Sequence, residues 1–381
     1  MEVRSRSGRN PHPRVVRLPD ELVAEILARV PYRSLCRFKL VSRSWRGLSS
    51  DPAVRRRCPQ TLAGFFFTTT PLSGPHRRVR HFVNASGRGA PMVNDPSLAF
   101  LPPGHRDACF VDSCNGIFLC RREDDTPSRV GSRYPYFVCN PATEKWIDLP
   151  DTEVTSKPSP TLRLGFDPAV SSHFRVFALV KAQNPFELRD QVTGTEIYSS
   201  DTGAWTYRQS EWGDGTVAGC DSVFFCGTMH FISPGSSSLL TVDTDGRTWG
   251  KIPTPRDFDF IGVSQGHLYA VHLSGRGKDD RLSIWVLEDY AGQQWIKKHA
   301  VSARQMFGTR PRSFGDSYSF KVQAIHPEHS LIFLTAGKLS SLMSYDMDKK
   351  RVRFIWTLGE NNEPAYPYVP CFSDWQLPGQ H

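Results

Sequence analysis

The stretch EIYSSDTGAWTYR (Glu196 to Arg208) holds three signals in a row. An apolar run ending on Ile197 and Tyr198 reads as a strand. Ser-Asp-Thr-Gly reads as a tight turn, because Asp side chains bond their own backbone and Gly adopts positive φ without strain. Ala-Trp-Thr-Tyr then reads as the returning strand.

The same grammar occurs in FVCNPATEKWIDLP (137–150), LLTVDTDGRTWGKIP (239–253) and SIWVLEDYAGQQWIKKH (283–299). In each of the four, the second strand opens on a tryptophan, at Trp146, Trp205, Trp249 and Trp295, spaced 59, 44 and 46 residues apart. A fifth segment, LMSYDMDKKRVRFIWTL (342–358), keeps the turn and puts Val352 and Phe354 near the tryptophan position. Further strand pairs lie between these hairpins, in VFFCGTMHFIS, IGVSQGHLYAVHL and VQAIHPEHSLIFLTA. Each unit therefore supplies about four antiparallel strands, the plan of a propeller blade of roughly 40–50 residues. The 321 residues after position 60 make roughly six such blades. The earliest, starting at AGFFFTTT, is irregular, and YPYVPCFSDW near the end is a candidate closing strand. A pair of β-sandwiches is the competing architecture, and the repeated hairpin argues against it.

The first 60 residues follow another pattern. In LPDELVAEILARVP (Leu18 to Pro31), Leu22, Val23, Ile26, Leu27 and Val30 fall at helical spacing. Pro19 is tolerated in a first turn, and Pro31 lacks the amide that would carry the helix on. Leu35, Phe38 and Val41 repeat at spacing three in a second segment. Ser42 is a candidate N-cap for a third, which carries Trp45 and Leu48. Three helices in about forty residues bury too little apolar surface to stand alone, so such a module needs a partner surface.

Charge divides the chain at the same place. Residues 1–60 hold 14 of the 47 Lys+Arg and five of the 38 Asp+Glu, which leaves 33 of each in the remainder. The whole net charge of +9 sits in the first 60 residues, and a basic module on a neutral body points to an acidic partner for the module. No apolar run approaches the roughly 18 residues of a membrane span. The arginine-rich start has no apolar core of a secretory signal. Nine cysteines without a CxxC pair read as buried free thiols in a reducing compartment, cytoplasm or nucleus.

A search for chemistry finds no constellation. HPEH (His326 to His329) reads as a Pro-Glu turn flanked by exposed imidazoles, and HExxH, GxSxG, P-loop and GxGxxG patterns do not occur. Cys109, Cys114 and Cys120 are spaced too loosely for a zinc knuckle. SGRG at 86–89 and 274–277 reads as loop, and Asp124-Asp125 and Asp279-Asp280 as solvated turns. RRR at 55–57 and HRRVR at 76–80 are basic, but without a nucleic-acid fold around them the expectation is no direct nucleic-acid binding. The expectations are no catalytic residue, no metal and no cofactor.

The segment LPDELVAEILARVPYRSLCRFKLVSRSWRGL resembles an F-box, the motif that binds the Skp-family adaptor of cullin-based ubiquitin ligases. The family pattern falls on Leu18, Pro19, Leu22, Glu25, Ile26, Leu27, Val30 and Pro31. Its second half falls on Ser34, Leu35, Arg37, Phe38, Val41, Ser42, Arg43 and Trp45. DSCNGIFLC, NPATEKWIDLP, LGFDPAVSSHFRVFAL, WVLEDY and YDM resemble the F-box-associated, kelch-like domains of plants, over most of residues 105–360. The resemblance implies a basic tail over 1–16, disordered, an F-box over 17–57 and an all-β propeller over 58–381. It further implies a non-catalytic substrate receptor of a Skp–cullin–F-box ligase. The adaptor would bring cullin and RING subunit, and tethering would raise the local concentration of target lysines.

Leu18, Pro19, Leu22, Ile26, Leu27, Val30, Pro31, Leu35, Phe38, Val41 and Trp45 are the expected adaptor contacts, with Val30, Phe38 and Val41 also candidates for holding the helices together. Arg37, Lys39, Arg43 and Arg46 are expected to steer, worth about 0–1 kcal/mol each at an exposed rim. The target protein is expected on loops 121–134, 183–194, 274–281 and 302–317. The alternatives are a scaffold that binds the adaptor without assembling a ligase, and a propeller enzyme.

Overall fold

In a computed structural model the chain divides into two compact units, residues 1–59 and 60–381. The residues described are 18–30, 34, 38, 41, 43–51, 54, 57, 61–70, 78–89, 92–93, 95–122, 135–157, 160–182, 191–213, 215–217, 222–275, 281–308, 320–359, 364–373 and 375.

In the first unit, α1 (Asp20–Leu27) starts after Pro19, whose carbonyl accepts the N–H groups of Leu22 and Val23 at 3.1 Å each. Asp20 and Glu21 set negative charge at the positive end of the helix. α2 (Arg43–Ser50) packs against it. Val23, Leu27, Ala28 and Val54 form the buried core, with Ala24, Val30, Phe38, Trp45 and Leu48 against it. The helix expected between α1 and α2 lies mostly outside the described residues.

The second unit is a ring of antiparallel sheets. Its first pair is β1 (Gly64–Thr69) with β2 (Val79–Asn84). Helix α3 (Pro103–Arg106) then precedes the second blade, β3 (Cys109–Cys114), β4 (Ile117–Arg121), β5 (Tyr136–Asn140) and β6 (Lys145–Asp148). The third is β7 (Leu162–Gly165), β8 (Arg175–Ala182), β9 (Gln191–Ser199) and β10 (Ala204–Gln209). The fourth is β11 (Ser222–Phe225), β12 (Thr228–Ser233), β13 (Ser238–Asp243) and β14 (Trp249–Pro253). The fifth is β15 (Phe260–Ser264), β16 (His267–Ser274), β17 (Arg281–Asp289) and β18 (Gln294–Ser302). After α4 (Ala303–Phe307) the sixth follows: β19 (Phe320–Ile325), β20 (Leu331–Ala336), β21 (Ser341–Asp346) and β22 (Arg351–Thr357). In each of these five, strands pair in chain order.

β23 (Tyr366–Tyr368) closes the ring by pairing with β1, Gly64 opposite Tyr368. The first blade is thus β23-β1-β2, its inner strand supplied by the other end of the chain. The innermost strands stand side by side around the ring: β23 by β3, β3 by β7, β7 by β11, β11 by β15, β15 by β19, and β19 by β23. This is a six-bladed β-propeller, and it excludes the paired sandwich. Five blades have four strands; the first has three among the described residues.

The core is correspondingly annular, lying between blades. Phe66, Phe110, Phe118 and Tyr368 join the first blade to the second. Phe65, Val83, Phe333, Leu342 and Ile355 join the sixth to the first. Beyond β23 the chain runs on across two blades. Ala or any larger residue at Gly116 (φ +88°) would put its Cβ 2.3 Å from the Val369 carbonyl. Asn140 Nδ2 donates to the Cys371 carbonyl at 2.8 Å, and the buried Trp375 ring lies 5.1 Å from that of Phe174.

The repeated tryptophans have different jobs. Trp205 donates its indole N–H to the Pro150 carbonyl of the preceding blade (2.7 Å), and Trp295 does the same to Pro253 (3.0 Å). Trp249 instead caps its own turn at the Gly246 carbonyl, and Trp146 packs on the His105 ring of α3.

Candidate functional site

The apolar stripe of α1 splits into two. Val23 and Leu27, four apart, point into the module, and Leu27 is fully buried, a packing position. Leu18, Leu22 and Ile26, also at intervals of four, form a second row that is 52%, 51% and 50% exposed. Their side chains stay large and apolar in water, the opposite of what burial alone would select. Val41 is exposed too, at 62%, and Pro19 beside Leu18 is exposed. Val30, Phe38 and Trp45 are half-buried in the module's own core, where the Phe38 and Trp45 rings meet edge to face at 5.2 Å. Arg43 and Arg46 are exposed. Pro31, Leu35, Arg37 and Lys39 lie outside the described residues.

What holds the outward row in place includes a contact that sequence spacing did not reveal. Arg57 grips both carboxylate oxygens of Glu25 at 2.6 and 2.8 Å, and Arg29 reaches the same carboxylate at 3.5 Å. The Arg57 guanidinium holds the Glu25 carboxyl below the usual carboxylate range, and is itself raised by it. The signal was present in the RRR run at 55–57, but only the fold brings its last member within reach of α1.

In the propeller, strand direction sorts the connections by end. First-to-second and third-to-fourth connections lie at one end, and three of the first-to-second ones are two-residue hairpins: Asn115-Gly116, Cys226-Gly227 and Gln265-Gly266 each place both residues at positive φ. Second-to-third connections and the passages from one blade to the next lie at the other end. The expected target loops 121–134, 183–194, 274–281 and 302–317 all belong to that second end. Most of their residues lie outside those described. One described part is the start of α4, where the Ser302 hydroxyl accepts the Gln305 N–H at 3.2 Å and the Gln305 side chain accepts the Ser302 N–H at 2.9 Å.

HPEH requires a correction. His326 is buried, not exposed: its Nδ1 accepts the N–H groups of Glu328 (3.1 Å) and His329 (3.2 Å), and its carbonyl accepts the Ser264 hydroxyl (2.7 Å). Burial, helped by His329, pushes its pKa down to about 4. The imidazole is a turn cap for this connection. His230 is enclosed likewise, with Nδ1 donating to the Thr228 carbonyl and Nε2 accepting the Tyr290 hydroxyl, and burial lowers it to about 4. Among the described residues no cluster of three or more His, Cys, Asp or Glu is placed to hold a metal ion. Cys109, Cys120, Cys139 and Cys371 are buried thiols outside any disulfide, Cys114 is half-buried, and Cys226, in a turn, is exposed.

Residues 16–57 match the F-box domain family, and residues 97–366 match the family described as F-box protein At3g26010-like, beta-propeller. Among curated proteins of Arabidopsis thaliana, F-box protein At5g07610 is 24% identical over 78% of this chain and 74% of its own length. F-box protein At5g49610 is 26% identical over 78% and 82%. F-box protein At3g26010 is 26% identical over 90% and 80%. With an F-box at one end and a matched propeller over most of the rest, the chain belongs to the F-box proteins with an At3g26010-like β-propeller.

Proposed function

We propose that the protein is the substrate-recognition subunit of a Skp–cullin–F-box ubiquitin ligase. The observation that carries this reading is the outward row Leu18, Leu22 and Ile26 inside a matched F-box, fixed by a core that uses the other face of the same helix. Three large apolar side chains held half-exposed suit burial against another protein, and the basic charge of residues 1–60 suits an acidic adaptor. Cullin and RING subunit join through the adaptor, while the propeller presents its target from the end that carries the longer connections. The receptor does no chemistry itself. It acts by tethering, in cytoplasm or nucleus; among the described residues no helix is long and apolar enough to cross a membrane.

Co-purification with a Skp-family adaptor tests this. Wild type is expected to bind, and the Leu22→Arg/Ile26→Arg double variant to lose binding with its propeller still folded. A folded wild type that retains no adaptor overturns the reading, and one that binds adaptor but recruits no cullin leaves a scaffold instead of a ligase receptor.

A further inference from the structure

Two cations of the propeller share one aromatic ring and have no anion. Trp285 of β17 stands opposite Ala270 of β16, a member of the core between the fourth and fifth blades, and opposite Lys297 of β18. Residues directly opposite in a ladder share a face, so Trp285 and Lys297 both face the fourth blade. Lys298 turns the other way, donating to the Tyr269 hydroxyl at 2.6 Å. Arg256, on the connection from the fourth blade to the fifth, comes to the same ring as Lys297. Its guanidinium carbon lies 5.8 Å from the ring centroid, and the Lys297 Nζ lies 6.0 Å from it. The ring is half-buried, and both cations are exposed. Among the described residues neither side chain makes an ion pair or a hydrogen bond.

The backbone that carries Arg256 is tied on both sides. The Thr254 N–H donates to the Ser237 carbonyl at 2.8 Å, the Thr254 hydroxyl to the Arg256 carbonyl at 2.9 Å, and the Asp259 N–H to the Val271 carbonyl at 2.8 Å. His272 Nδ1 donates to the Asp257 carbonyl at 2.8 Å, and the buried Phe258 ring lies 5.1 Å from that of Trp295. The carboxylates that adjoin Arg256 in the chain are taken up elsewhere. Asp257 accepts the N–H and the hydroxyl of Ser237 at 3.1 and 3.2 Å. Asp259 accepts the Leu273 N–H at 2.7 Å and lies 3.6 Å from His272 Nδ1. Two like charges are thus brought to one ring on well-tied backbone, with the adjoining acids turned away. An incoming anion gains from both.

We propose that Arg256 and Lys297, with the Trp285 ring they share, form a recognition site for an acidic segment of the target protein. The inference rests on the receptor reading above. In an extended segment, carboxylates two residues apart point to one side, with about 7 Å between their Cα atoms. One meets the planar fork of Arg256 and the other the ammonium of Lys297, while their methylene groups rest on the indole. Charge complementarity supplies the attraction, and the spacing of the two acids supplies selectivity.

The test is fluorescence polarisation of the full chain, at low salt, with a labelled heptapeptide, Ser-Gly-Glu-Ser-Glu-Gly-Ser. Its counterpart Glu-Ser-Gly-Ser-Gly-Ser-Glu has the same composition and charge with the acids at its ends. The first peptide is expected to bind, the end-spaced one about fivefold more weakly, and the version with Gln for both Glu at least about tenfold more weakly. Arg256→Gln and Lys297→Gln should each cost about threefold, and Arg256→Glu/Lys297→Glu at least about tenfold, with unchanged thermal melts because both side chains are exposed. Arg88→Glu/Arg351→Glu, which reverses two exposed cations elsewhere on the propeller, should leave binding as it is. Equal binding of the two acidic peptides, or an equal loss in the Arg88/Arg351 variant, overturns the proposal in favour of general charge attraction. Tighter binding of a single-stranded oligonucleotide, lost in the Arg256/Lys297 reversal, overturns it in favour of a nucleic-acid surface. No binding by folded wild type overturns it outright. Adaptor co-purification of the same variants is expected to be unchanged; failure of wild type to bind adaptor with peptide binding intact breaks the receptor reading and leaves the acidic-segment site standing.

Discussion

The two units treat their large apolar residues in opposite ways. In the propeller, Phe65, Phe66, Phe118, Phe177 and Phe231 are fully enclosed, each between one blade and the next. In the F-box module, Leu27 is enclosed while Leu22 and Ile26 on the same helix stand half in water. The propeller closes on itself because its last strand returns to its first, so every interior blade face finds a neighbour in the same chain. The helical module is too small for that. Its second apolar row stays half-exposed, and under the proposed receptor reading it is the face left for the adaptor.

The difference can be broken by truncating one residue of each kind. Trp375→Ala empties a fully buried site against Phe174 and unfastens the segment that follows the closing strand. The expected loss is about 3–5 kcal/mol of propeller stability, the usual cost of removing a buried aromatic. Leu22→Ala, on the outward row, is expected to change stability by less than about 0.5 kcal/mol. Denaturant melts of the two variants check this; equal losses would mean that the outward row is internal packing after all.

Acid should likewise separate the units. His230 is fully buried and neutral, with its pKa depressed to about 4, whereas an unfolded histidine titrates near 6.5. The unfolded chain therefore takes up the proton first. This part of the stability is complete above pH 6.5 and falls as pH drops towards 4, by about 2 kcal/mol on reaching pH 5. His326 acts in the same direction. Glu25, held below the usual carboxylate range by Arg57, responds only at lower pH, so its contribution persists while the propeller weakens. Thermal melts at pH 7 and 5 should show the propeller transition falling, and His230→Gln should lose most of its share of that dependence.

Much of this was legible in the sequence because it is periodic. Turn residues such as Asp201 and Gly203, and a strand opening on Trp205, announce a hairpin wherever they occur, and five hairpins announce a ring. The F-box pattern was equally dense. What spacing could not show is contact between distant positions. Nothing in RRR marks Arg57 as the partner of Glu25, and nothing in HPEH marks His326 as buried, since that follows from Ser264 of the neighbouring blade. The stripe on α1 read as one face because 3.6 residues per turn place Leu22 and Val23 only about 100° apart. Which of the two turns inward depends on Phe38, Trp45 and Val54.

The finest comparison lies among the repeated tryptophans, which look equivalent in sequence. Trp205 and Trp295 each bridge to the proline carbonyl that ends the preceding blade, while Trp249 bonds only within its own turn. Replacing indole by phenyl keeps most of the packing and removes the N–H. Trp205→Phe and Trp295→Phe should then each cost about 1 kcal/mol, the net worth of one hydrogen bond, and leave a blade-to-blade carbonyl without its donor. If the bond between blades is what matters, amide exchange should quicken at both partners, around 148–150 and 204–206 in the first variant. Trp249→Phe should instead quicken exchange only around its own turn, at 243–249. Uniform quickening across all blades in all three variants would show that the tryptophans act through shared core packing and not as individual ties, and their apparent sequence equivalence would then be real.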